Sequence, residues 1–289
     1  MSVTVNTNIP SIAASRSLYA TRQSLEQAME RLSSGQRING ASDDAAGMTV
    51  VTRMKAQISS LGQAVRNAND GISLISTYDG AADEIEDILV RMRELATLAQ
   101  NETYTADDQA NANLEFVALK NEIDRIQSKT KFNGTLDIAS SVGVSAEIYS
   151  FQVGFNGGDA IGVTFNSLEA SALMGANLAA ATAGIGGHGT VASNIDKASA
   201  AVVALDKGLS NLNVARATAG AAINRLEHTV NNLMSVIQRT EEARSRVEDA
   251  DFASESAALA RANVLTQAGS AMLAQANQSP QYVLSLLRG

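Results

Sequence analysis

The chain has 289 residues, a formal net charge of −8 and a pI near 4.9, so nucleic acid and anionic membrane surfaces are not expected as partners. Cysteine is absent and only two histidines occur, which removes disulfides, thiolate metal sites and cysteine nucleophiles and leaves little for metal binding or general-base chemistry. Hydrophobic residues make up 45% but aromatics only 4%, with two prolines, a mixture that suits long, closely packed helices better than an aromatic-rich enzyme core.

The first eight residues carry no basic n-region and no apolar h-region, so no secretory signal peptide is expected. No stretch approaches the ~18 apolar residues of a spanning helix. Ile9, Ile12, Leu18, Leu25, Ala28 and Leu32 then give a loose apolar stripe. A far stronger pattern follows. Val51, Met54, Ile58, Leu61, Val65, Ala68, Ile72 and Ile75 step by three and four, a heptad seam. The seam is expected to shift phase between Gly71 and Gly80 and resume as Tyr78, Ala81, Ile85, Ile88, Met92, Leu95 and Ala99. Ser42, with Asp43 and Asp44 behind it, is the expected N-cap. A helix over about 43–100 would be roughly 85 Å long at 1.5 Å per residue.

Thr105-Ala106-Asp107-Asp108 fits a capping box opening a second helix with a Phe116, Leu119, Ile123, Ile126 stripe, ended by a turn at Asn133-Gly134. The period then changes to two. Tyr149, Phe151, Val153 and Phe155 alternate, as do Ile161, Val163 and Phe165, around Asn156-Gly157-Gly158-Asp159, which reads as a β-hairpin. Residues 170–190 read as an irregular connector. Heptads return from Ile195 to Ile237, behind an expected capping box at Ser193-Asn194-Ile195-Asp196. Arg216 is the one charge on that seam. Either its stem packs while its head reaches solvent, or it pairs with a facing carboxylate such as Asp79 and fixes the register. Ala258, Ala262, Leu265, Gly269, Met272 and Ala276 form a last seam of small residues. The two end segments leave apolar surface uncovered, which implies that they meet each other or neighbouring copies.

Gly184, Gly186 and Gly189, with Asp206 downstream, formally match a dinucleotide-binding loop, but no strand precedes them, so a flexible connector is the better reading. His188 and His228 stand without a metal or catalytic partner. No cofactor and no enzymatic activity are expected.

Leu32-Ser33-Ser34-Gly35-Gln36-Arg37-Ile38-Asn39, Ala41-Ser42-Asp43-Asp44-Ala45-Ala46-Gly47 and Arg66-Asn67-Ala68-Asn69-Asp70-Gly71-Ile72-Ser73 resemble the N-terminal signature of bacterial flagellins. Arg93-Glu94-Leu95-Ala96, Asn121-Glu122-Ile123-Asp124-Arg125-Ile126 and Phe132-Asn133-Gly134 continue it. Thr229-Val230-Asn231-Asn232-Leu233, Ser245-Arg246-Val247-Glu248-Asp249-Ala250-Asp251-Phe252, Gln275-Ala276-Asn277-Gln278 and Val283-Leu284-Ser285-Leu286-Leu287-Arg288 resemble the C-terminal half.

The resemblance implies a mainly α fold: a long antiparallel coiled-coil bundle made by both chain ends, with a small β-hairpin region in the middle. It implies an inner terminal domain of 1–42 with 250–289, and a long-helix shell over 43–249 with the hairpin region near 136–170. No large inserted outer domain is expected. It also implies self-polymerisation into a flagellar filament, using Ile9, Ile12, Leu18, Leu25, Leu32, Leu265, Met272, Leu284 and Leu287. Unfolded export through the flagellar type III secretion channel, an extracellular location, and a secretion chaperone, cap and junction proteins as partners follow from the same resemblance. So does recognition by a host Toll-like receptor through Arg91, Leu95 and Glu115. A hook–filament junction protein is the alternative.

Overall fold

The computed structural model describes residues 7–134, 136–137, 147–174, 185 and 190–288, with the side chains of 136, 137, 147, 171 and 279–288 outside that description. The expected glycine loop, His188 and the side chains of Leu284 and Leu287 therefore lie outside the described residues. In chain order the elements are α1 (Ile9–Ser34), α2 (Ala45–Ala99), α3 (Ala106–Lys129), β1 (Lys131–Phe132), β2 (Leu136–Asp137), β3 (Glu147–Gln152), β4 (Ala160–Phe165), α4 (Ala170–Met174), α5 (Val191–Glu248) and α6 (Phe252–Arg288). The fold is mainly helical with a small antiparallel strand pair in the middle, as expected. Two compact units divide the chain: Met1–Ile58 with Gln238–Gly289, and Ser59–Ile237.

In the first unit α1 and α6 pair antiparallel. Asn8 caps α1, its Oδ1 accepting from the Ser11 amide at 3.1 Å, while its Nδ2 donates to the Ala276 carbonyl at 2.8 Å. Farther along, Leu18 lies against Gly269, and Arg31 pairs with Glu255 at 3.0 Å. Gly35 ends α1 in the left-handed region (φ 71°), the conformation a glycine adopts without Cβ strain. The two connectors then pair. Gln36 bridges Asp249, the Arg37 amide donates to the Glu248 carbonyl at 2.7 Å, and the Ala250 amide donates to Gly35 at 3.0 Å. The N-cap of α2 is Asp44, not Ser42: its Oδ1 accepts from the Gly47 amide at 2.8 Å. Asp43 instead closes the preceding loop, accepting from the amides of Asn39 and Gly40. A Cβ at Gly47 would collide with the Asp44 carboxylate, so this cap requires a glycine three residues on.

The second unit holds the large interior. The expected phase shift in α2 does not occur. Ala64, Ala68, Gly71, Ile75, Tyr78, Ala82, Ile85, Leu89, Met92, Ala96 and Ala99 are buried in unbroken steps of four and three. A second buried row, including Leu61, Leu74, Ala81 and Leu95, runs beside it. Two rows are buried because α2 is covered by α5 on one side and by α3 and the hairpin on others, so apolar residues of both rows look like one seam changing phase. The capping box of α3 is present: Thr105 Oγ1 accepts from the Asp108 amide, and the Asp108 side chain accepts from the Thr105 amide.

β3 and β4 pair antiparallel with Tyr149 opposite Val163 and Phe151 opposite Ile161. Ile161, Val163 and Phe165 are buried, whereas Phe155 lies past the strand and is exposed. The hairpin seats on α2. The Phe165 ring meets Tyr78 edge-on at 5.1 Å and Tyr149 at 5.5 Å. The Tyr78 hydroxyl donates to the Asn166 carbonyl at 2.8 Å. Phe151 fills the notch at Gly71, where a Cβ would stand 3.1 Å from the ring. The connector contains structure that its small residues conceal. Leu168, Leu173 and Met174, around the short α4, are buried, and so is Ile185. The expected capping box at residues 193–196 is absent. The Thr190 hydroxyl accepts from the Ser193 amide, and Asn194 is buried inside α5, donating to Gln109 Oε1 at 3.0 Å. Gln109 in turn donates to the Ala99 carbonyl at 3.0 Å.

Candidate assembly and recognition surfaces

The residues expected to drive assembly separate into two groups on the α1–α6 pair. Leu18, Leu25 and Leu32 are half-buried and belong to the pair itself. Ile9, Ile12, Leu265 and Met272 are 62%, 61%, 51% and 65% exposed. The inward seam of α6 keeps Ala258, Ala262, Gly269 and Ala276 of the expected one but takes Thr266 and Leu273 in place of Leu265 and Met272, which turn out; Ala262 is buried and the rest of the seam half-buried. Small residues let α6 approach α1 closely, and the larger neighbours are left outside. Pro10, Leu18, Leu265, Gly269 and Met272 line an open groove of about 460 Å³ along this pair. Tyr19, Met29 and Val264 are further exposed apolar side chains that the stripe analysis did not single out. Their signal is present in the sequence, since they are large apolar residues one position off the stripe.

In the second unit, α2 and α3 bring Arg91 and Glu115 together at 2.9 Å, and Arg91 also reaches Glu94 at 2.9 Å. The hydrogen bond that Arg91 donates to Glu115, then that to Glu94, raises the Arg91 pKa above its ordinary value. Both partners of the Arg91–Glu115 pair are exposed, so solvent screens the pair and it adds little to stability. Leu95 is only 5% exposed and lies beneath that surface rather than on it. One turn of helix separates it from Arg91, yet it points to the core.

Arg216 does pair with Asp79, at 3.1 Å, and also with Asp83 at 2.9 Å and with Glu86. The carboxylates recur at helical spacing along α2, so one guanidinium is gripped over two turns. Their hydrogen bonds, Glu86 first, raise the Arg216 pKa. Arg93 pairs with Asp206 at 2.6 Å, which makes Asp206 an ion-pair partner. His228 is exposed on α5. Among the described residues, no group of three His, Cys, Asp or Glu side chains is placed to hold a metal.

The fold and its surfaces define an elongated-helix structural protein, with heptad seams closed inside the chain and apolar side chains left outside. Residues 5–136 match the family model described as the bacterial flagellin N-terminal helical region, and residues 202–287 match the bacterial flagellin C-terminal helical region. The flagellin of Halalkalibacterium halodurans is 43% identical, covering 98% of this chain and 99% of its own. The flagellar filament 33 kDa core protein of Treponema phagedenis is 38% identical, and the flagellin of Bacillus subtilis 37%, each with the same coverage. The chain belongs to the bacterial flagellin family, and it is a structural subunit of the flagellar filament.

Proposed function

We propose that filament growth joins copies of this chain through the outer apolar side chains of α1 and α6, Ile9, Ile12, Leu265 and Met272, together with Leu284 and Leu287. The observation that carries this is the exposure of Ile9, Ile12, Leu265 and Met272 beside a seam of mostly small residues. Neighbouring copies would bury them, at about 25 cal/mol for each Å² of apolar surface removed from water. In this reading residues 1–42 and 250–289 form the filament core and 43–249 the shell around it. Export precedes assembly: the chain leaves unfolded through the flagellar type III secretion channel, is held by a secretion chaperone, and polymerises extracellularly beneath a cap protein, beyond junction proteins.

The surface around Arg91 and Glu115 is proposed as the recognition site for a host Toll-like receptor. Leu95 supports it from below. A receptor reporter assay with dissociated monomer tests this: Arg91→Ala and Glu115→Ala each lower the response, and equal responses from all variants refute the site.

Seeded polymerisation viewed by negative-stain electron microscopy tests the assembly reading. Wild-type monomer extends short filament fragments, and a Leu265→Ser, Met272→Ser double variant with unchanged helicity does not. If wild-type monomer fails to extend its own seeds, a hook–filament junction protein becomes the better reading.

A further inference from the structure

The chain contains three Asn-Gly steps: Asn39-Gly40, Asn133-Gly134 and Asn156-Gly157. This step is chemically labile. The glycine main-chain nitrogen attacks Cγ of the asparagine, forming a new C–N bond. The Cγ–Nδ2 bond breaks and ammonia leaves with the proton released from the glycine nitrogen. Water then opens the cyclic imide at either carbonyl, giving aspartate or isoaspartate. Glycine favours the reaction because no Cβ shields its nitrogen. The fold decides which step can react, because the attack needs a free glycine N–H and a mobile side-chain amide.

The first step is held. The Gly40 N–H donates to Asp43 Oδ2 at 3.1 Å, as does the Asn39 N–H, and Asn39 Nδ2 donates to the Gln36 carbonyl at 3.4 Å. A carboxylate on the attacking nitrogen opposes loss of its proton. The second is constrained in its backbone instead: Asn133 and Gly134 both sit in the left-handed region (φ 53° and 74°), between the paired Lys131–Asp137 and Phe132–Leu136 positions, and Asn133 has an interaction partner.

The third step differs. Asn156 and Gly157 are exposed at the tip of the β3–β4 hairpin. Asn156 donates its main-chain N–H to Asp159 Oδ2 at 3.3 Å, and its carbonyl accepts from Gln152 Nε2 at 2.7 Å and from the Asp159 amide at 3.3 Å. Each of those bonds uses main-chain atoms of Asn156 and leaves its side-chain amide out. A Cβ placed on Gly157, as on Gly134, would meet nothing within 4 Å, and here a second glycine, Gly158, follows at φ 106°. The attacking nitrogen thus lies between an anchored carbonyl and an unhindered glycine pair.

We propose that Asn156 is a site of spontaneous, water-dependent deamidation, and that it marks the age of the subunit at this hairpin. The product carboxylate stands beside that of Asp159. The isoaspartyl route also inserts a methylene into the main chain between β3 and β4. Both changes oppose the turn bonds from Gln152 and Asp159, and so loosen the hairpin whose Phe151 seats on Gly71.

The test compares the full-length chain, native and guanidinium-unfolded, aged in mildly alkaline buffer made with heavy-oxygen water. Peptide mass spectrometry with electron-transfer fragmentation reads label at each asparagine and separates aspartate from isoaspartate. Unfolding removes the fold's influence, so each native rate is divided by its own unfolded rate. Asn156 is expected to keep most of its unfolded rate, while Asn39 is slowed about tenfold or more, equivalent to over 1.36 kcal/mol of barrier. Gly157→Ala slows labelling at 156 alone, with the circular dichroism spectrum unchanged. Protection at 156 equal to or stronger than that at 39 overturns the proposal.

Discussion

The two compact units solve the same packing problem with different materials. In the Ser59–Ile237 unit, Tyr78, Phe116, Phe165, Leu89, Met92 and Leu205 close an interior covered by helices and a hairpin. In the unit made of both chain ends, the buried apolar residues among those described are Ala28, Ile38, Val51 and Ala262. Polar contacts carry more of the load there: Arg31 with Glu255, Lys55 with the buried Glu248 at 2.5 Å, and the Arg37 guanidinium on the Val247 carbonyl at 2.7 Å. A subunit with this division has one part with a large buried interior and one part with little apolar burial. Under the proposed assembly, neighbouring copies would complete that burial.

Truncation of the interior gives the largest contrast. Phe116→Ala is expected to cost about 3–5 kcal/mol in denaturant unfolding of the monomer, the usual range for a fully buried aromatic. Leu265→Ala and Met272→Ala should each stay within about 0.5 kcal/mol on the same curve, as exposed substitutions do. Comparable losses from the two sets would erase the distinction between the units. A middle-sized effect is expected from Gln109→Leu. It strips the Ala99 carbonyl and the Asn194 amide of a buried partner, at about 1–3 kcal/mol by the same unfolding measurement.

Arg216→Ala should cost less, about 1–2 kcal/mol, because the guanidinium is 29% exposed and its carboxylate partners 30–64%, so solvent screens much of the attraction. If Arg216→Met matches wild type in stability yet broadens the spectrum of α5 resonances, the cluster sets register rather than strength. The smallest effect is shared by both units. Hydrogen bonds from Thr105 hold Asp108 below the ordinary carboxylate pKa, and the amides of Asn39 and Gly40 do the same for Asp43. Depressed folded pKa values give stability that is present above the unfolded value and fades as pH falls through the folded one. Hydrogen exchange at the start of α3 and at 39–43 should therefore quicken in that acid window, and Asp108→Asn should abolish the pH dependence at α3 only.

Long-range periodicity made the helices legible, because a seam of Leu, Ile and Val has high contrast against charged neighbours. The hairpin was legible for the same reason at period two. Low contrast explains what was misread. In α6 the seam is alanine, glycine and threonine except for Leu273, so Leu265 and Met272 attract attention although they face outward. At 193–196 the cap pattern is formally complete, yet Asn194 is needed inside as a partner for Gln109. Ser42 loses the cap of α2 to Asp44 because only the latter has Gly47 beneath its carboxylate. The surface around Arg91 and Glu115 was legible as residue types, but the burial of Leu95 depends on a second row of α2 that a single seam does not show.

The bridge between Gln36 and Asp249 has a consequence in time. It joins the two connectors from opposite ends of the chain, and α1 pairs along its length with α6, the last element. A chain that emerges from its N-terminus completes the Ser59–Ile237 unit before the partner of its first helix exists. The entropy of closing so long a loop must be met before α1 gains any contact from α6. The terminal unit therefore cannot form until both ends of the polypeptide are present.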